Sequence, residues 1–301
     1  PTPGLDLICM LVMFGIIGPF ALQVFLPSLP GLKAEFNAGY SEVQLTVSLY
    51  LLTFACAQLV YGTLADRFGR RRIILIGLVI YIVAPIMCAS AETIDALVAG
   101  RALQAIGACT GLMFARVVAR DIYGRNRAAS AIGLVTMVSA LIGSATPMLG
   151  GWIDVTFGWR MSFWVTSGVG VTVFVITFKW FPETQPTVSS SNVFTIIQQS
   201  FQVLRSPVFL GYAGHTTCTL SAWYAMLAGL PFVMADVMAQ PPTAYGAYFP
   251  FLSIGYVLGN LVTFRVAQSW GIHRMIIRGT GLALIACPAL VLWCLVFGLI
   301  P

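Results

Sequence analysis

Gly62-Thr63-Leu64-Ala65-Asp66-Arg67-Phe68-Gly69-Arg70-Arg71 lies between two long apolar stretches of this chain. A short loop with several arginines directly after an apolar stretch is typical of the cytoplasmic surface of a membrane, where basic residues are retained. Glycine lets the chain turn sharply and lets helix ends approach closely. The carboxylate of Asp66 can stabilise a helix terminus or pair with a flanking guanidinium. The stretch therefore predicts a tight basic loop between two transmembrane helices.

The composition of the chain points to the same environment. Hydrophobic residues make up 58% of the 301 residues, charged residues make up 9%, and the mean hydropathy is +0.90. A soluble domain carries about 25% charged residues, so this chain cannot cover a water-facing surface and its solvent is lipid. The net charge of +6 does not indicate nucleic-acid binding, because the arginines lie mostly in short loops between apolar stretches. The seven cysteines lie inside those stretches without a Cys-x-x-Cys pair, so neither a metal site nor a disulfide framework is expected.

The apolar stretches predict a helix count and an orientation. A helix that crosses a bilayer needs about 20 mostly apolar residues. By this length the sequence predicts nine spans, at approximately 5–27, 43–64, 72–91, 95–119, 128–152, 160–181, 207–234, 243–267 and 275–299. Almost all loop lysines and arginines fall on one side of these spans, and only Lys33 and Arg160 fall on the other. This asymmetry places the basic loops and the N-terminus in the cytoplasm.

A polar stretch divides the predicted spans into two groups. Pro182-Glu183-Thr184-Gln185-Pro186, followed by three serines, ends a helix and begins a linker. We therefore predict an N-terminal six-helix bundle at 1–181, a cytoplasmic linker at 182–206 and a three-helix bundle at 207–301. Transporters with two six-helix halves carry six spans after such a linker. The chain is interpreted as a fragment of a protein about one hundred residues longer, and a protein with nine spans is the alternative.

Two motifs identify a family resemblance. The order Gly-x-Leu-x-Asp-Arg-x-Gly-Arg-Arg resembles the loop between transmembrane helices 2 and 3 of the major facilitator superfamily. In the fourth span, Leu97, Arg101, Gln104, Gly107 and Ala108 resemble the helix-4 motif of the same superfamily. The resemblance implies an all-α integral membrane protein with the major facilitator fold. A guanidinium in hydrocarbon is costly, so Arg101 is expected to face the protein interior or a wet cavity; an arginine that snorkels to the outer interface is the alternative.

The fifth span contains a third motif. Gly143-Ser144-Ala145-Thr146-Pro147-Met148-Leu149-Gly150-Gly151 resembles the superfamily's antiporter motif, Gly-x-x-x-Gly-Pro-x-x-Gly-Gly. It departs twice, because Thr146 replaces the glycine before the proline and Ile142 occupies the first glycine position, with Gly143 one place late. The association of this motif with export carries over as an expectation. Close helix packing by small residues, with no bearing on direction, is the alternative.

The segment Arg116-Val117-Val118-Ala119-Arg120-Asp121-Ile122-Tyr123 and the run Leu26-Pro27-Ser28-Leu29-Pro30 resemble the Bcr/CflA group of drug:proton antiporters, which includes phenicol exporters. This resemblance implies a monomeric exporter of small amphipathic compounds, antimicrobial drugs among them, in the bacterial inner membrane. Its partners would be the substrate, protons and the bilayer, without a cofactor, a metal or nucleic acid. Residues expected to act in gating are Gly62, Asp66, Arg67, Gly69, Arg70, Arg71, Arg120, Asp121, Gly143, Pro147, Gly150 and Gly151.

One departure from the group bears on proton coupling. The group's first helix carries an acidic residue four positions before the proline, where this chain has Gln23. His215, about two turns into the seventh span, is then a candidate coupling group, with a packing role as its alternative. Polar and aromatic residues within the spans are candidates to line the substrate cavity, and helix packing is the alternative for each: Gln23, Tyr50, Phe54, Gln58, Arg101, Gln104, Trp223 and Tyr224.

Two other functions stay open at this point. Uniport of a neutral metabolite is favoured by Gln23, which cannot release a proton. A non-transporting membrane remnant is favoured by the small number of spans after the linker. An enzyme is not expected, because His215 and His273 are the only histidines and no nucleophile–base pair accompanies them.

Overall fold

The computed structural model describes residues 5–184 and 205–296, and all regular structure in these ranges is helical. Two short irregular helical segments, a 3-10 turn at Leu26–Ser28 and a π-helical turn at Val233–Val237, interrupt the regular helices. The α-helices in chain order are α1 Leu5–Gln23, α2 Leu29–Glu35, α3 Tyr40–Phe68, α4 Arg70–Ala89, α5 Ile94–Phe157, α6 Trp159–Trp180, α7 Pro207–Phe232 and α8 Pro242–Val296.

Seven helical segments of the described ranges are long and apolar enough to cross a membrane. They are Ile8–Glu35, Tyr40–Phe68, Arg70–Ala89, Ile94–Ile122, Ile132–Phe157, Trp159–Trp180 and Pro207–Val237. The first seven predicted spans are confirmed, and the chain is an all-α, multi-pass membrane protein. The span predicted at 243–267 lies within α8, and the span predicted at 275–299 extends past the described residues. Neither is among the seven segments, and both stay predictions.

The first span is not one continuous helix. Helix α1 ends at Gln23, and the chain passes through the 3-10 turn before α2 begins at Leu29. Pro27 and Pro30 lack the amide hydrogens that would extend α1 through this region. Gln23 therefore lies at a helix end, where its carbonyl is released from the regular bonding of the helix.

Helix α5 doubles back on itself. It is helical over 64 residues, but its two halves run in opposite directions along α1. In the first half, Arg101 lies close to Ala21 and Gly111 lies close to Phe14, so this half runs antiparallel to α1. In the second half, Ser139 lies close to Gly15 and Gly150 lies close to Val24, so this half runs parallel to α1. The two halves are therefore the two separate spans that the sequence predicts, and both pack on α1.

Backbone contacts bring the helices of this region close together. A Cβ added to Gly107 would lie 2.4 Å from the backbone nitrogen of Tyr81, on the neighbouring α4. The Tyr81 hydroxyl in turn donates a hydrogen bond to the carbonyl of Ile17 on α1 at 2.9 Å. Because the atom facing Gly107 belongs to the backbone, a larger residue there would force the helices apart.

The chain separates into two compact units, Pro1–Pro250 and Phe251–Pro301. The first unit contains α1 to α7 and the start of α8, and the second contains the remainder of α8. Most of the predicted linker at 182–206 lies outside the described residues. The division into bundles at 1–181 and 207–301 therefore stays a prediction.

Candidate functional site

The signature loop, as the stretch from Gly62 to Arg71 is called below, comprises the last turns of α3, Gly69 and the first two residues of α4. Arg70 lies at the centre of its charge pairing. This arginine is 7% exposed and stands at the first position of α4. Its guanidinium pairs with Asp66 in the last turn of α3, at 3.0 Å, and with Asp121 of α5, at 2.9 Å. A planar guanidinium has donors on several edges and can hold two carboxylates at once. Arg70 thus joins the end of α3, the start of α4 and the end of the fourth span. It brings Asp66 and Asp121, two of the predicted gating residues, together.

A fourth element reaches the same loop. The Glu183 carboxylate, just after α6, accepts hydrogen bonds from the backbone nitrogens of Arg70 at 3.0 Å and Arg71 at 3.1 Å. These nitrogens are at the start of α4, where N–H groups have no partner within the helix and the helix dipole favours a negative charge. The Arg71 guanidinium also donates to the carbonyl of Phe178 at 2.7 Å.

Sequence reasoning missed Glu183, because the run Pro182–Pro186 indicated only a helix end. An acidic residue directly after a predicted span, on the same side as the basic loop, was the available signal. Among the other predicted gating residues, Arg67 and Arg120 are exposed, and Gly62 has open space where a Cβ would be placed.

Arg101 is enclosed by protein. It is 0% exposed and lies between α1, α3 and α5. One of its terminal nitrogens donates to the carbonyl of Ala21 at 3.0 Å and to Gln104 Oε1 at 2.6 Å, and Nε donates to the carbonyl of Thr46 at 3.4 Å. Its guanidinium therefore does not reach solvent.

Aromatic rings complete the surroundings of Arg101. Its guanidinium carbon lies 4.3 Å from the ring centroid of Tyr50, 4.8 Å from Phe25 and 5.9 Å from Phe163. The faces of such rings carry negative potential and attract a cation. The ion pairs found among the described residues do not include Arg101. Its charge is therefore balanced there by carbonyl oxygens and rings rather than by a carboxylate.

Gln23 lies on a different face of α1 from the Arg101 contact at Ala21. Both Gln23 Nε2 and Oε1 are 3.4 Å from the position of a Cβ added to Gly143. Gln23 Oε1 is shielded from solvent and has no hydrogen-bond partner. Two departures from the family motifs, the amide at position 23 and the displaced glycine at 143, are thus in contact.

The antiporter-like segment of α5 packs against the start of α8. A Cβ on Gly246 would lie 2.6 Å from the carbonyl oxygen of Pro147, and a Cβ on Gly151 would lie 2.7 Å from that of Pro242. Gly150 faces α1 instead, at the carbonyl of Val24. Pro147 and Gly151 therefore form a close contact between helices that the sequence assigns to different bundles.

The remaining cavity candidates are dispersed. Tyr50 is buried, donates to the carbonyl of Gly18 at 3.3 Å and stacks on Phe54. Tyr224 of α7 packs against the same hydrophobic core that contains Tyr50. Gln58 and Trp223 are exposed, and His215 is partly exposed on α7. Among the described residues, Tyr50 and its stacking partner Phe54 thus lie near Arg101.

No group of three or more His, Cys, Asp or Glu residues that could hold a metal ion occurs in the described part of the chain.

The family profile of the Major Facilitator Superfamily matches residues 11–300. The chain therefore belongs to this superfamily, a family of membrane transporters rather than of enzymes. It is similar to the uncharacterized MFS-type transporter YdgK of Bacillus subtilis (strain 168), with 27% identity over 87% of this chain and 66% of that protein. It is also similar to Multidrug resistance protein D of Escherichia coli (strain K12), with 32% identity over 61% of this chain and 46% of that protein.

Solved structures show the same fold. The crystal structure of a D-xylose-proton symporter matches with a TM-score of 0.66 and 13% identity, over 88% of this chain and 69% of that one. At this identity the similarity concerns the fold alone. The chain spans about half to two thirds of the length of the curated relatives named above.

Proposed function

We propose that this protein exports small amphipathic compounds, antimicrobial drugs among them, by alternating access in the manner of the Bcr/CflA group. The substrate class is supported by the similarity to Multidrug resistance protein D, which is 32% identical over 185 residues. The direction of transport is supported only by the resemblance of the segment from Gly143 to Gly151 to the antiporter motif. Alternating access is supported by Pro147 and Gly151 of that segment, which pack closely on α8. This contact between helices of the two predicted bundles is the observation that carries the proposal.

We place the protein in the bacterial inner membrane as a monomer, with its N-terminus and the signature loop in the cytoplasm. The asymmetry of the loop arginines supports this orientation. On this placement the network of Asp66, Arg70, Asp121 and Glu183 lies at the cytoplasmic end of the helices. An ion pair that forms in only one conformation biases the equilibrium by its differential energy, so the network is suited to control the cycle.

Export in exchange for protons is the third part of the proposal. An amide at position 23 cannot release a proton, so we expect the protein with Gln23 to couple poorly through this site. Gln23→Glu should increase pH-dependent export, because it restores a titratable group next to Gly143. His215 is the candidate coupling group elsewhere in the described chain.

The test is pH-dependent efflux from energised vesicles, with the Gln23 protein compared with its Gln23→Glu variant. Stronger proton-dependent export by the variant supports the proposal. Equal, proton-dependent export by both proteins would place the coupling group elsewhere, and His215→Gln would then be tested. If neither protein transports any of the compounds tested, the proposal that the protein is an exporter is refuted.

A second function has a specific observation in its favour. The unpartnered Oε1 of Gln23 is a neutral acceptor that suits a hydrogen-bond donor on an uncharged solute. Uniport of a neutral metabolite predicts transport that equilibrates the solute without any response to a proton gradient. The same vesicles distinguish this outcome from antiport.

A further inference from the structure

Tyr40, the first residue of α3, contacts three elements at one end of the protein. Its hydroxyl donates a hydrogen bond to Asp236 in the π-helical turn after α7. Its ring lies edge-on to Phe232 at the end of α7, with 5.4 Å between the centroids. Lys33 of α2 places its Nζ 3.7 Å from the centroid of the same ring. A single side chain therefore connects α2 and α3 with the far end of α7.

A second bond joins the same helices one turn further along. Gln44 Nε2 donates to the carbonyl oxygen of Ala228 at 2.9 Å. Helix α7 is buried at this end, where Leu227 is 1% exposed, and open at its other end, where Val208 is 67% exposed. All of these residues belong to the first compact unit. The two hydrogen bonds that join α3 to α7 and to the turn after it thus lie at the end that carries Tyr40.

Two groups of charged residues at this end of the protein connect different helices. Arg160 of α6 pairs with Glu35 of α2, and both residues precede the predicted linker. Lys33 instead covers the ring of Tyr40, whose hydroxyl donates to the Asp236 carboxylate. Lys33, Tyr40 and Asp236 therefore form a chain of contacts from the N-terminal helices to α7.

We propose that Lys33, Tyr40 and Asp236 form a latch that holds α7 against α2 and α3 at the end of the protein that faces away from the basic loops. Its place in the transport cycle rests on the proposed alternating-access function, in which this contact must open once per cycle. Opening would expose Leu227 and the Ala228 carbonyl. Because the latch is exposed to solvent, its loss should shift the open-to-closed ratio by about twofold to fivefold.

The test measures how fast a thiol introduced by Leu227→Cys reacts with a membrane-impermeant maleimide, in protein reconstituted into vesicles. Peptide-resolved mass spectrometry separates this thiol from the native cysteines. Tyr40→Phe removes only the hydroxyl and keeps the ring contacts, and Asp236→Asn removes only the charge. Each is made in the Leu227→Cys background, alone and together. Glu35→Gln, which breaks the ion pair with Arg160 at the same end and leaves Tyr40 and Asp236 unchanged, is the matched control.

We expect both single variants to raise the labelling rate about twofold to fivefold, and the double variant to raise it no further than the larger single effect. Glu35→Gln should leave the rate unchanged. Unchanged rates in the single variants, multiplied effects in the double variant, or an equal rise with Glu35→Gln would each overturn the latch. The labelling result does not depend on export, so a protein that labels as expected but moves no compound would refute the proposed function and leave the latch in place.

Discussion

Glu183 Oε1 accepts a hydrogen bond from the backbone nitrogen of Arg70 at 3.0 Å, although 113 residues separate the two in the chain. The second carboxylate oxygen binds the next nitrogen, that of Arg71. The negative charge thus stabilises the start of α4, while the Arg70 side chain points to two other carboxylates. These bonds thereby join the segment that follows α6 to the signature loop, although the two are far apart in the sequence.

Glu183→Ala should destabilise the protein by removing this cap. The loss of a capping side chain costs about 1 kcal/mol, and the unpartnered nitrogens of α4 would then face the space that the carboxylate leaves. Thermal unfolding in detergent, followed by intrinsic fluorescence, measures the effect. Glu92→Ala, which removes an exposed carboxylate from the connection between α4 and α5, is the control and should be nearly neutral. Equal melting temperatures for both variants would show that the cap contributes nothing.

The two glycines of the signature loop should respond in opposite ways to alanine. Gly69 has φ of +89°, and a Cβ there would lie 2.8 Å from Glu183 Oε2. Gly69→Ala is expected to lower the free energy of unfolding by more than about 1 kcal/mol, because both the positive φ and the nearby Glu183 carboxylate disfavour a side chain there. Gly62 lies inside α3 with open space around its Cβ position, so Gly62→Ala should stabilise the helix by up to about 1 kcal/mol. Equal effects in unfolding experiments would contradict this account.

Asp66→Asn should slow transport while it leaves substrate binding nearly intact. The substitution keeps the shape of the side chain but removes one of the two charges that hold Arg70. Because the pair lies at the helix ends and outside the Arg101 region, its loss should alter the conformational equilibrium rather than the affinity. Initial rates of efflux and equilibrium ligand binding, measured on the same preparation, separate the two effects. Lost binding with unchanged turnover would be the contrary result.

Arg101→Ala should abolish transport, and Arg101→Lys should not restore it. Lysine keeps the charge, but a single ammonium cannot reach the carbonyls of Ala21 and Thr46 together with Gln104 as the planar guanidinium does. Efflux assays should be accompanied by size-exclusion profiles, so that a folding defect is seen separately. Normal transport by both variants would mean that the buried guanidinium has no part in the cycle.

Single cysteines in the loops at 67–72 and 120–127 should react only from the cytoplasm. The expectation follows from the concentration of arginines on this side of the spans. Intact cells and inverted vesicles, treated with the same impermeant reagent, give the comparison. Labelling of either loop on intact cells would reverse the proposed orientation.

The sequence was sufficient for seven of the nine predicted spans, because each needs only a long apolar stretch, and these seven appear where they were predicted. The family resemblance also selected Asp66, Arg70 and Asp121, which two ion pairs join in the structure, and their role in gating stays a prediction. It did not reveal the Glu183 cap or the bond from Tyr40 to Asp236, which span 113 and 196 residues. Such bonds depend on how helices are arranged around each other, and local apolar periodicity carries no information about that arrangement.

The contact between Gln23 and Gly143 has a consequence for the evolution of related chains. Aspartate is one methylene shorter than glutamine, so a carboxylate at position 23 would end before the place where the Gln23 amide meets Gly143. A side chain at 143 would then fit, and the glycine could return to 142, where the antiporter motif has it. We therefore expect these positions to exchange together across homologues, as a correlated substitution. Restoring an aspartate at 23 by engineering should likewise succeed best when Gly143→Ala refills the volume that the shorter side chain vacates.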